Sequence, residues 1–84
     1  MYETGKNYFI RTITNFWTGQ VAKVTDTELS LKDAAWVADT GRFSQAINDG
    51  TLSEVEPVNG TVIVNRQSIV DACEWTHALP REQK

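Results

Sequence analysis

The chain alternates between β-prone segments and short polar breaks, and this pattern predicts most of its fold. Aromatic and β-branched residues fill Asn7 to Thr14 without an interrupting Gly or Pro, which is typical of a strand. Between Thr27 and Asp33, Leu29 and Leu31 alternate with polar neighbours, which predicts a strand with one buried face. The next segment, Ala34 to Ala38, either extends this strand or leaves the sheet.

A glycine interrupts the second β-prone run, which extends from Trp17 to Thr25. Gly19 stands where a sheet needs a bend or a bulge, so we expect this strand to be curved.

A short helix is predicted between the third and fourth strands, over Arg42 to Asp49. Phe43, Ala46 and Ile47 share one helical face at spacings of three and four residues. Asp39 or Thr40 is the candidate amino-terminal cap, and Gly50 is the candidate stop.

The last third of the chain contains three more β-prone segments. Leu52 to Val58 and Thr61 to Asn65 flank Asn59-Gly60, a strong hairpin signal, so we expect these two strands to pair. Pro57 should lie at a sheet edge or near the turn, since it has no N–H to donate. The spacing of apolar residues in Ser68 to Thr76 fits a helix or a strand, and we favour the strand.

Together these segments predict a mainly β (β-rich α+β) protein: a small bent antiparallel sheet or barrel of about five strands with one short helix. At 84 residues the chain is expected to form a single domain, with flexible ends at 1–6 and 81–84. Such a small core gains little stability, and Cys73 and His77, the only Cys and His, provide neither a disulfide nor a closed zinc site. We therefore expect a homo-oligomer without metal or cofactor.

Charge and hydropathy narrow the choice of partners. The net charge is −3, from 11 acidic and 8 basic residues, and the basic residues are scattered along the chain. Binding to bulk nucleic acid or to a membrane surface needs clustered Lys and Arg, so neither is expected, whereas two or three arginines suffice for a small anion. No apolar run approaches the roughly 20 residues that span a bilayer, and the amino terminus lacks the apolar core of a signal peptide, which predicts a cytoplasmic protein.

Three segments carry a resemblance that covers residues 8–80. They read YFIRTITNFWTGQV, LSLKDAAWVADTGRFSQAINDG and IVDACEWTHALP. In the sequence and order of these three segments, the chain resembles a family of small uncharacterised bacteriophage and prophage proteins. The resemblance implies a phage protein acting in the host cytoplasm and carries no catalytic signature.

More loosely, the succession of a strand, a Gly-bent strand and an alternating strand is similar to the bent β-meander of Sm-like and SH3-like barrels. The amino-terminal helix and the Asp-x-x-Asn turn of Sm proteins are missing, so Sm-style RNA binding is not implied.

The candidate ligand-binding residues are arginines and tryptophans. An arginine on an apolar face or at a helix start can hold a phosphate or carboxylate with its planar fork, although a salt bridge is the simpler explanation. Tryptophan faces can stack on a base, although burial in the core or in a subunit interface is the simpler explanation, especially for Trp36 and Trp75. The predicted binding set is Arg42, Arg66, Arg11, Trp17 and Trp36.

Two other groups of residues are considered and set aside. Cys73 and His77 have the spacing of a nucleophile and its base, but nothing marks an orienting partner or an oxyanion site, so we expect no catalysis and only a packing role for Cys73. The acidic residues Asp49, Glu54 and Glu56 lack a calcium-loop order, and we expect a solvated surface.

The resulting hypothesis is a phage-encoded, non-catalytic binding protein. Its ligand would be a host nucleotide signal that it sequesters, as an inhibitor of anti-phage defence, or a host protein. The alternative is an accessory structural or assembly protein of a phage.

Overall fold

The fold is a bent antiparallel sheet with one short helix. The computed structural model describes all 84 residues. Six strands, one α-helix and one 3-10 turn follow one another along the chain: β1 (Asn7–Thr12), β2 (Phe16–Val24), β3 (Glu28–Asp39), α1 (Phe43–Asp49), β4 (Glu54–Pro57), β5 (Val62–Asn65), η1 (Arg66–Ser68) and β6 (Ile69–Glu74). The predicted mainly β class is confirmed, and 68–76 contains a strand as favoured.

The sheet has five rows, because β4 and β5 lie one after the other along the same side of β3. The order is β4-β3-β2-β1-β6, with β5 also paired to β3. All ladders are antiparallel. β6 pairs only with β1, so its outer edge is unpaired.

Apolar side chains pack on both faces of this sheet, which explains why β1 is not strictly alternating. Tyr8 and Ile10 belong to one cluster with Val21, and Phe9, which points to the opposite face, belongs to a second cluster with Trp75. Burial on both faces favours a nearly continuous apolar run over a period-two pattern.

A bulge opposite Gly19 bends β2 and β3, as the sequence predicts. Thr18 pairs with Ala35 and Gln20 pairs with Lys32, so β3 contains one residue more than β2 at this point. Asp33 has a φ of 51°, in the left-handed region that Asp tolerates better than most residues. Beyond the bulge β3 continues through 34–38. The segment Ala34 to Ala38 therefore extends the strand and does not leave the sheet.

The predicted hairpin at Asn59-Gly60 is wrong. β4 and β5 do not pair with each other, because each pairs with a different half of β3. The interruption between them lies beside the β3 bulge, where the Val58 amide donates to the Ala34 carbonyl at 2.8 Å. Gly60 does have a positive φ of 90°. The turn nevertheless joins two strands that follow one another along β3, and it does not reverse the chain into a hairpin.

The helix and the segment after β6 cover one face of the sheet. Ala46 is buried against the second apolar cluster, and Gly50 ends the helix in the left-handed conformation, as predicted. The expected cap is wrong: Arg42 occupies the N-cap without a side-chain hydrogen bond, and the Asp39 carboxylate accepts instead from the Gly41 amide.

The carboxyl-terminal residues, expected to be flexible, lie against the outer edge of β4. Lys84 and Val55 exchange two backbone hydrogen bonds, of 2.9 and 3.1 Å. The Arg81 guanidinium donates to the Ala34 carbonyl at 3.4 Å. The fold contains no helix of the length and apolarity that crossing a membrane requires.

Candidate functional site

Trp17 and Trp36 stand side by side on one face of the sheet. They are direct partners in the β2–β3 ladder, so their side chains project to the same side. Trp17 is half-buried against the first apolar cluster, whereas the Trp36 side chain remains 38% exposed. Burial within the chain is therefore wrong for Trp36, while Trp75 is only 3% exposed and lies in the core as expected.

Asn15 connects the two indoles. The hydrogen-bond network orients its carboxamide so that Oδ1 accepts from Nε1 of Trp17 at 3.2 Å and from Nε1 of Trp36 at 3.3 Å. In the same orientation the amide nitrogen donates to Thr12 Oγ1 at 2.7 Å. Both indole N–H groups thus have an acceptor within the protein, while ring surface remains open to solvent.

The β1–β2 turn holds Asn15 in this position. The Thr12 amide donates to the Asn15 carbonyl at 2.8 Å, and the Asn15 amide donates to Thr12 Oγ1 at 3.0 Å. Threonine hydroxyls commonly stabilise turns through such bonds to nearby backbone groups. The turn therefore fixes the acceptor before any ligand is present.

A shallow cavity of about 530 Å³ lies against the tryptophan pair and the start of the β4–β5 interruption. Its lining residues, which we call the aromatic groove, are Asn15, Trp17, Trp36, Glu56, Pro57, Val58 and Asn59. Glu56 is the ladder partner of Trp36 and is the only charged residue among them. Glu54, two residues earlier on β4, projects to the same face and is also exposed.

Arg11 is engaged in an ion pair away from the groove. Its Nε donates to Asp71 Oδ1 at 2.9 Å, and its Nη2 donates to Asp71 Oδ2, across the β1–β6 ladder. This hydrogen bonding to Arg11 lowers the pKa of the Asp71 carboxyl, and both side chains are exposed. Arg11 is therefore part of a surface salt bridge, which is the simpler of the two explanations given for the arginines in the sequence analysis.

Arg66 is also held by intramolecular contacts. Its Nη1 donates to the Thr25 carbonyl at 2.6 Å, and its guanidinium lies 5.7 Å from the centre of the Tyr2 ring. Burial raises the pKa of Tyr2, and the positive charge of Arg66 opposes that rise.

Arg42 is exposed and forms no ion pair or side-chain hydrogen bond. The structure thus brings together Trp17 and Trp36 from the predicted binding set. The three arginines lie at separate places, and none lines the aromatic groove.

Cys73 and His77 have different surroundings. The expectation of a packed Cys73 is wrong, because Cys73 is exposed on the edge strand β6. Partial burial of the thiol and the charge of Asp71 both raise its pKa. The His77 ring instead packs edge-on against Trp75, with its Nε2 2.8 Å from the Ile47 carbonyl.

The acidic residues considered in the sequence do not form one cluster. Glu54 and Glu56 lie on β4, and Asp49 ends the helix. The structure contains no group of three or more His, Cys, Asp or Glu side chains placed to hold a metal ion.

Asn15 is a site residue that the sequence alone did not identify, and Glu56 is considered there only as part of a solvated acidic surface. A Thr-x-x-Asn sequence between two strands indicates the turn, but no local signal shows that Asn15 meets both indoles. The pairing of Glu56 with Trp36 depends on the β3–β4 register, which joins positions separated by the helix.

Compared with models of protein families, with curated proteins and with solved structures, the chain matches none of them.

Proposed function

We propose that this chain is a non-catalytic binding protein whose partner docks in the aromatic groove. The observation that carries the proposal is the adjacent pair of tryptophans, of which Trp36 is 38% exposed beside a shallow cavity. Clustered aromatic side chains left open at a surface are typical of binding sites, and tryptophan is among the residues that contribute most to interfaces.

The fixed geometry of this pair supports the same proposal. Asn15 accepts from both indole N–H groups and is itself held by the turn through Thr12. A partner that docks on rings already held in place loses less conformational entropy than one that must order them.

The contacts of the arginines favour a protein partner over a nucleotide. Arg11 is paired with Asp71, and Arg66 is bound to the Thr25 carbonyl, so a phosphate would have to displace existing bonds. Only Arg42 is without a partner, and it does not line the groove. In the phage setting that the resemblance implies, the partner would be a host protein and the groove would sequester it in the host cytoplasm.

Thermal unfolding against a ligand panel tests this proposal. The panel contains nucleotides, which remain relevant because Arg42 is unpaired, together with cationic, anionic and proline-rich peptides. A ligand at 100 times its dissociation constant stabilises the folded state by about 2.7 kcal/mol. We expect Trp36→Ala to abolish the stabilisation, whereas Phe43→Ala, which removes an aromatic ring 55% exposed outside the groove, should preserve it. Equal loss in the two variants would contradict the proposal.

A second candidate function, assembly of a phage structure, is favoured by the edge of β6. This edge is unpaired, and Val70 on it is 58% exposed. Unpaired strand edges associate readily with other strands, and a domain this small gains stability from self-association. Sedimentation equilibrium should then show species heavier than 9.4 kDa that Val70→Lys dissociates. A folded 9.4 kDa species alone across the micromolar range would contradict self-association.

A further inference from the structure

The charge of the aromatic groove is negative. Glu56 is its only charged lining residue, and Glu54 projects from the same face of β4. No Lys or Arg lines the groove. Arg81 contacts the nearby Ala34 carbonyl, but it lines a different cavity together with the carboxyl-terminal residues.

Glu56 and Trp36 are close enough to contact one side chain together. They are direct partners in an antiparallel ladder, where side chains on the same face begin about 5 Å apart. The indole face attracts a cation through its quadrupole, and a carboxylate attracts it through charge and hydrogen bonds. A guanidinium or ammonium group placed over Trp36 therefore meets both attractions at once.

The neighbouring surface suits the rest of such a side chain. Trp17, Pro57 and Val58 supply apolar surface along the groove. Arginine and lysine carry an apolar stem below the charged group, and that stem packs against apolar surface while the charge remains at the rim.

Resting on the proposed function, we infer that the aromatic groove binds an arginine- or lysine-bearing segment of a protein partner. Charge complementarity favours this occupant over a nucleotide, because the phosphates would approach Glu56 and Glu54 with no cation in the groove to offset the repulsion. The apolar surface alone would accept an uncharged peptide, but such a peptide would form no ion pair with the two carboxylates.

Calorimetric titration with an acetylated, amidated hexa-arginine peptide tests the inference at an ionic strength of about 0.15 M, where exposed charges more than about 8 Å apart are largely screened from each other. The Glu54→Gln/Glu56→Gln double variant should bind this peptide roughly five- to tenfold more weakly, since it removes two exposed ion pairs, each of which changes the affinity by at most about fivefold. The matched control is Asp26→Asn/Glu28→Gln, which also removes two negative charges, but from exposed positions where β2 turns into β3. This control should change the affinity by less than about twofold.

Trp36→Leu separates cation attraction from simple apolar contact. Leucine keeps an apolar side chain but has no aromatic face, so we expect a further loss of about two- to fivefold. The affinity of Trp36→Phe, which retains a weaker aromatic face, should lie between the affinities of the wild type and of Trp36→Leu. Circular dichroism of each variant establishes that it is folded, and Trp36→Phe replaces Trp36→Leu if the latter is not.

The inference would be overturned by the absence of hexa-arginine binding, by equal weakening in both double variants, or by tighter binding of hexa-glutamate or AMP. Occupation of the groove that increases with protein concentration in the absence of peptide would show that a second copy of the chain binds there. This result would also overturn the inference. If an uncharged ligand of the thermal panel still requires Trp36, the proposed binding function stands and only the cationic partner is wrong.

Discussion

Trp17 and Trp36 are direct partners across the β2–β3 ladder, and their indole N–H groups converge on the side-chain oxygen of Asn15. The arrangement satisfies both indole donors inside the protein and leaves ring surface available outside.

Asn15→Ala should lower the free energy of unfolding by about 1–2 kcal/mol. The change removes the acceptor of two indole N–H groups and a donor to Thr12, and each net hydrogen bond contributes about 1 kcal/mol or less when partly exposed. Urea unfolding measures the loss. Asn59→Ala, in the same groove but without side-chain hydrogen bonds, is the control and should be nearly neutral. Equal effects of the two changes would show that Asn15 does not hold the indoles.

Thr18→Val should stabilise the fold by about 1 kcal/mol. Thr18 is fully buried, and its hydroxyl has no hydrogen-bond partner. Valine has nearly the same shape without a polar atom, so the desolvation penalty of the hydroxyl disappears. Thermal unfolding of Thr18→Val and Thr18→Ser decides this point. A Thr18→Val protein less stable than the wild type would mean that the hydroxyl is satisfied in solution.

Gly19→Ala should destabilise the fold by about 1–3 kcal/mol. A Cβ at this position would lie 3.2 Å from Leu31 Cβ and 3.3 Å from Ala34 Cβ, at the point where β2 and β3 bend. Overpacking of this kind costs stability because the surrounding residues must shift. A double-mutant cycle with Ala34→Gly should show a favourable coupling between the two changes, since Ala34→Gly removes one of the close contacts. Strict additivity would contradict the packing described.

Cys73 should react slowly with iodoacetamide at neutral pH although it is exposed. Partial burial of the thiol and the charge of Asp71 raise its pKa, so the folded protein holds less of the reactive thiolate than the unfolded chain at the same pH. The pH midpoint of alkylation should therefore be higher in buffer than in urea, and Asp71→Asn should lower it. A midpoint below that of the unfolded chain would instead indicate an activated cysteine and restore the catalytic alternative.

Much of the fold is encoded in local patterns. The alternation around Leu29 and Leu31 identifies β3, and the bend at Gly19 and the helix stop at Gly50 follow from glycine at those positions. The hairpin at Asn59-Gly60 was predicted wrongly because the local turn signal does not reveal that both flanking segments pair with β3.

The site was less accessible to sequence reasoning. The tryptophans could be named as candidates, but their adjacency, the acceptor role of Asn15 and the position of Glu56 depend on strand register. Arg11 and Arg66 were plausible anion ligands in the sequence, and only the fold brings them to Asp71 and to the Thr25 carbonyl.

Binding of a cationic segment in the aromatic groove is tested by a nitrogen-15 spectrum of the three indole N–H groups during titration with the hexa-arginine peptide. We expect the Trp17 and Trp36 signals to move together and to saturate at one peptide concentration. The Trp75 signal should remain in place, because its N–H donates to the Ala78 carbonyl at 3.1 Å within the core. Unchanged Trp17 and Trp36 signals in the presence of bound peptide, or a shift of the Trp75 signal alone, would contradict the claim that the aromatic groove is the binding site.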